Sequence, residues 1–178
     1  MVNTGTMNIK NVENLTVSGG DETTNPSFVN NGDLIIDIIS KRLVISFMLP
    51  DMSINIIDNF FSITYARNEG IAFSLLDGKV DFIVIMTIII IFMLIKYLKE
   101  NKVEKNEKIG YSFVLGGAIG NLLDRIIYGY VIDFFDFNIF GYNYPIFNIA
   151  DIFIVIGIFI LIISGGKKDG DKNGINSR

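Results

Sequence analysis

Two stretches place acid, amide and guanidinium groups among apolar residues: Gly116 to Phe137 (GGAIGNLLDRIIYGYVIDFFDF) and Pro145 to Asp151 (PIFNIAD). Ionisable groups at membrane depth cost roughly 2.5–3.5 kcal/mol each even on lenient insertion scales, so a chain that keeps them there has a use for them. Asp133 stands among Val131, Ile132, Phe134 and Phe135. Desolvation there disfavours the ionised form, and a second carboxylate nearby makes one of the two hold a proton. Such a pair can take a proton from water with one member and polarise a carbonyl with the other. Asp151 is the second candidate, and the aromatic stretch between the two acids can fold back to join them.

Each group also has a plainer role. Asn148 and Asp151 share a helix face and can act as N-cap and N3. Asp133 can be a solvated loop acid. Gly116, Gly120 and Asp124 recur every four residues, as do Gly117, Asn121 and Arg125, and the glycines suit a close helix crossing. Arg125 can pair with an acid, hold a carbonyl or head group, or simply snorkel to the interface. Asn68 and Gly70 form an ordinary turn signal. Asp37 and Lys41, four apart, can pair on one helix face.

Absences narrow the chemistry. The chain has no Cys and no His. Thiol nucleophiles, thiolate metal sites, disulfides, Ser-His-Asp triads and the usual zinc-protease motif are excluded. Acid–base work falls to Asp, Glu, Lys or Tyr. The net charge of −4 and the lack of a basic stripe with interleaved aromatics point away from nucleic acid.

The 178 residues fall into two regimes behind a mean hydropathy of +0.46. Residues 1–33 read as a polar, disordered leader with too little apolar surface to offset ordering, and residues 165–178 as a polar tail. Residues 34–164 read as a membrane-embedded domain with spans at about 34–49, 80–98, 109–127 and 149–164; a full span takes roughly 20 apolar residues, so the first is short. Residues 52–76 suggest short strands outside the membrane. Residues 128–147 suggest an aromatic interfacial connection. The fold class expected is an all-α four-span bundle with a small extracytoplasmic β-containing segment. Lys96, Lys99, Lys102, Lys105 and Lys108 cluster between the second and third spans, and the tail is basic too. By the positive-inside rule both are cytoplasmic, so Asn68, Asp133 and Asp151 gather at the outer face.

These blocks together resemble lipoprotein signal peptidase, also called signal peptidase II. The matching residues are Asn68, Gly70, Ala72, Phe73 and Ser74; Gly116, Gly117, Gly120, Asn121, Asp124 and Arg125; Gly129, Val131, Asp133 and Phe134; and Phe147, Asn148, Ala150 and Asp151. The resemblance covers about Leu34 to Ser164. It implies a bacterial cytoplasmic-membrane aspartic endopeptidase that removes signal peptides from prolipoproteins, cutting before a diacylglyceryl-modified Cys. It further implies Asp133 and Asp151 as the catalytic pair, with Asn68, Asn121, Arg125 and Asn148 in support. Asp37, Ser40 and Lys41 resemble the block that helps shape the site, and Ala72 and Phe73 would lie in the substrate-cradling region. The partners implied are lipidated prolipoproteins and membrane lipid, and the resemblance implies no metal or cofactor, with which the absent His and Cys agree.

One departure stands out. In the family a full apolar helix precedes the block at Asp37, whereas here only Leu34, Ile35 and Ile36 do. A missing half-span implies lower stability and possible loss of activity. Two other functions compete with the peptidase: an impaired relative that only binds lipopeptide, because of the damaged first span, and, from a different class, a small ion or proton carrier using membrane acids as relays. A carrier should hold its acids near mid-membrane, while these sit at the outer ends of spans.

Overall fold

The computed structural model describes residues 31–71 and 76–175. The elements are α1 (Asn31–Phe47), β1 (Ser53–Ile57), β2 (Phe61–Asn68), α2 (Val80–Glu100), α3 (Lys105–Tyr128), β3 (Val131–Ile139), β4 (Tyr142–Asn143) and α4 (Ile149–Ile175). Most of the polar leader lies outside the described residues, as do Ala72, Phe73 and Ser74.

The expected all-α class needs correction. Four helices accompany a four-stranded antiparallel sheet in the order β1-β2-β3-β4. The stretch expected to be a loose interfacial connection contains β3, because its β-branched and aromatic residues suit a pleated, half-buried surface. Alternation along β3 sends Ile132 and Phe134 into a core with Val44 of α1, Met48 just past its end and Tyr65 of β2. Asp133, between them in sequence, takes the other face. β2 pairs with β3 so that Ala66 lies opposite Asp133 and Asn68 opposite Val131. Asn68 and Asp133 are therefore diagonal neighbours across the ladder.

The helices match the expected spans in position but not all in composition. Among the described residues, α2 is the one helix long and apolar enough to cross a membrane, and Ile149–Gly165 of α4 is apolar but shorter. α1 and α3 fall short because they carry polar groups inward: Asp33, Asp37, Lys41 and Asp124 are all buried. α3 also starts earlier than expected, because Glu104 and Glu107 form a reciprocal capping box. It ends at Gly129, whose φ of +80° suits glycine at a left-handed cap. α4 continues as helix to Ile175, where a polar tail was expected.

Two close crossings set the helices around the site. A Cβ on Gly117 would meet the Ala150 carbonyl oxygen and come within 2.7 Å of Ile154 Cγ1, so α3 and α4 touch backbone to backbone there. A Cβ on Gly120 would lie 2.5 Å from Asp37 Oδ2, which fixes α1 against the same face of α3. A lower contact pairs Gly110 with Gly157, a second glycine crossing that the repeating pattern at 116–120 did not include.

Candidate active site

Asn148 heads α4 as its cap. Its side-chain oxygen accepts from the Asp151 backbone N–H at 3.1 Å, and Asp151 Oδ2 accepts from the Asn148 backbone N–H at 3.1 Å. The capping role and the site role coincide in one residue. Because a backbone donor holds Asn148 Oδ1, its Nδ2 is aimed away from the helix. It donates to Asp133 Oδ1 at 2.6 Å and to Asn121 Oδ1 at 3.0 Å.

Asp133 is 2% exposed and Asn148 is wholly buried. The second oxygen of Asp133 accepts from Asn68 Nδ2 at 2.8 Å. Asn68 is pinned in turn, since its own oxygen accepts from the Gly70 N–H at 3.0 Å. The turn signal and the site residue are thus the same asparagine. Burial pushes the Asp133 carboxyl up from 3.8 to about 7. Repulsion from Asp151 adds to that, while the amides of Asn68 and Asn148 and the charge of Lys41 pull against it.

Asp151 is only partly buried. Its Oδ1 accepts from Asn121 Nδ2 at 2.8 Å. Asp133 and Asp151 therefore share Asn148, which donates to one through its side chain and to the other through its backbone. The fold-back between them comes from the antiparallel contact of Phe135 with Phe147, and Phe147 also stacks on Phe137.

Beneath this pair lies an ionic cluster. Lys41 Nζ is 2.8 Å from Asp37 Oδ2 and 2.9 Å from Asp124 Oδ2. The expected pairing of Asp37 with Lys41 is present, and Asp124 joins it. Asp37 also caps α4 by accepting from the Ala150 N–H at 3.0 Å. Asp124 accepts from the Ile132 N–H at 3.2 Å, which anchors β3 beside the pair. That second function was not legible in the sequence, since the distance from 124 to 132 along the chain gives no hint of a strand turning back.

Arg125 makes none of the ion pairs seen among the described residues. Its Nη2 donates to the Gly70 carbonyl and its Nη1 to the Asn121 carbonyl at 3.4 Å. Of the options open to it, holding a backbone carbonyl is the one realised, and that carbonyl belongs to the protein. Of the residues singled out in the sequence, Asn68, Gly70, Asn121, Arg125, Asp133, Asn148 and Asp151 converge here. Asp37, Lys41 and Asp124 lie one layer below, and Phe73 lies outside the described residues. No group of three or more potential metal ligands occurs among the described residues.

The arrangement of helices and sheet is similar to that of solved membrane enzymes. One bacterial membrane enzyme determined by the in meso method superposes with a TM-score of 0.73 at 38% identity, covering 80% of this chain and 87% of that one. A second, also 38% identical, gives 0.67 over 75% and 87% of the two chains. The class is thus a bacterial membrane enzyme fold. The lipoprotein signal peptidase of Staphylococcus haemolyticus (strain JCSC1435) is 43% identical over 140 residues, 78% of this chain and 89% of that protein. The lipoprotein signal peptidase of Staphylococcus aureus (strain JH9) is 39% identical over 140 residues, 78% and 86% of the respective chains. The Signal peptidase (SPase) II family matches residues 33–165, and the chain belongs to that family of peptidases.

Proposed function

We propose that this chain is an aspartic endopeptidase that removes the signal peptide from bacterial prolipoproteins, cutting before the diacylglyceryl-modified Cys. The observation that carries the reading is the meeting of Asp133 and Asp151 on Asn148. They come from a strand and a helix, and one residue donates to both, through its side chain to Asp133 and through its backbone to Asp151. The pair shares one proton. The ionised member takes a proton from water, whose oxygen attacks the scissile carbonyl carbon. The protonated member gives its proton to the carbonyl oxygen, leaving a gem-diol. Collapse breaks the C–N bond as a proton passes to the departing amine.

The same reading makes residues 34–164 the peptidase domain, multi-pass in the cytoplasmic membrane. The sheet and the acids lie at the extracytoplasmic side, and the Lys-rich α2–α3 connection at the cytoplasmic side. Asn68, Asn121 and Asn148 orient the carboxylates. Arg125 secures Gly70, and Asp37, Lys41 and Asp124 brace the elements behind them. The test is cleavage of a diacylglyceryl-modified prolipoprotein peptide in lipid, comparing wild type with Asp133→Asn and Asp151→Asn. Cleavage confined to wild type is the expected result. Undiminished cleavage by either variant rules out the acid pair.

A further inference from the structure

Lys41 is 2% exposed and its ammonium has three N–H donors facing three oxygens. Two belong to Asp37 and Asp124, which charge balance explains. The third is Asn121 Oδ1 at 2.9 Å, which charge balance does not explain. We propose that Lys41 is a positioning residue for Asp151: its ammonium fixes and polarises the Asn121 amide, which then aims an N–H at the Asp151 carboxylate.

The two ends of an amide are nearly identical in shape, so its orientation is decided by its partners. Asn68 and Asn148 are pinned by backbone N–H groups, at Gly70 and Asp151 respectively. Asn121 differs, because its oxygen is held by side chains alone: Lys41 at 2.9 Å and Asn148 Nδ2 at 3.0 Å. Turning it over would set its NH₂ against two donors and its oxygen against the Asp151 carboxylate, a mismatch at three contacts. A charged donor on the oxygen also makes the amide's own N–H a stronger donor, because hydrogen bonds in series polarise one another. The result is a directed chain from the ion cluster on α1 to Asp151 on α4, passing through α3.

This inference rests on the acid-pair reading, and the test separates the two. Lys41→Met alone would leave two buried carboxylates unpaired, so it is combined with Asp37→Asn. The double variant keeps the cluster's net charge at one negative and retains an acceptor for the Ala150 N–H; Asp124 loses its ammonium partner but still accepts from the Ile132 N–H. Turnover of the diacylglyceryl-modified peptide is measured alongside thermal unfolding. The expected loss in kcat is roughly tenfold to a hundredfold, with KM held within about twofold because substrate contacts are untouched. Adding Asn121→Ala to the double variant should then cost no more than Asn121→Ala alone, since both act through one bond. Wild-type kcat in the double variant, or losses that multiply, overturns the inference. If the double variant does not fold, Asn121→Ala, which leaves the ion cluster intact, is read in its place. It must lose kcat at constant KM, and wild-type turnover there is equally fatal. Cleavage by Asp133→Asn or Asp151→Asn would remove the acid pair itself. Inactive Asp variants beside a fully active double variant would remove only the role of Lys41.

Discussion

Both oxygens of Asp133 accept amide N–H groups, yet its burial opposes charge, and the balance leaves the carboxyl titrating at about 7. If its proton is the one the reaction uses, the cleavage rate declines as pH rises through that value. A rate still level roughly two pH units above it in a pH–rate profile would show that the proton is held elsewhere. The same shift fixes the sign of a stability effect. The folded value exceeds the ordinary 3.8, so between those two values the unfolded chain binds fewer protons than the folded one. Asp133 therefore favours the fold most at the acid end of that window, and its contribution is lost as pH rises through about 7. Asn148→Ala removes the donor to Asp133 and Asn121 together with the cap of α4, so we expect destabilisation of about 1–3 kcal/mol and loss of cleavage. Thermal unfolding with a peptide assay checks both, and an unchanged melting temperature would contradict the hydrogen-bond geometry. The residues themselves were largely legible in the sequence, because acids and amides in apolar chain stand out. Their connectivity was not. Nothing in the spacing says that the Asn148 side chain reaches Asp133, or that Asp124 answers the backbone of Ile132.

Elements deliver these groups only because α1, α3 and α4 approach closely enough. The positions of the helices were readable from apolar runs, whereas β3 was not, since its aromatic residues suit an interface as well as a strand. Pairing with β2 decides between those states, and it is a contact between segments more than sixty residues apart. The crossing of α3 on α4 depends on Gly117, where a side chain would press on Ala150 and Ile154. Gly117→Ala must spread the two helices, which we expect to cost about 1–3 kcal/mol. It also moves Asp151, which sits one residue beyond the contact, so activity should fall further than stability alone accounts for. Gly165→Ala is the matching control, because a Cβ there meets nothing within 4 Å. Equal melting temperatures for the two variants would show that the crossing is not tight.

At the scale of the whole molecule, polar groups have been drawn inward and apolar ones turned out, the reverse of a water-soluble arrangement. Phe92 is 66% exposed and Ile85 57% on α2, while Lys41, Asp37 and Asp133 are nearly inaccessible. A surface of that kind is favourable against lipid, and the charges that remain outside then decide orientation. Lys99, Lys102, Lys105 and Lys108 flank the α2–α3 connection, at the end of the bundle opposite the β3–β4 hairpin that follows α3. On the proposed function, the positive-inside rule would put that connection in the cytoplasm and the sheet outside, where a peptidase for exported precursors would meet its substrate. The chain has no Cys, so a single introduced thiol reports its own location without a background. Tyr142, 58% exposed on β4, and Lys102, exposed between α2 and α3, are suitable sites. A membrane-impermeant maleimide added to spheroplasts should label Tyr142→Cys at once and Lys102→Cys only after lysis. The opposite pattern would place the acid pair at the cytoplasmic face and remove it from exported precursors, even with the hydrogen-bonded geometry intact. Labelling of both in intact spheroplasts would mean that the intervening helix α3 does not cross the bilayer.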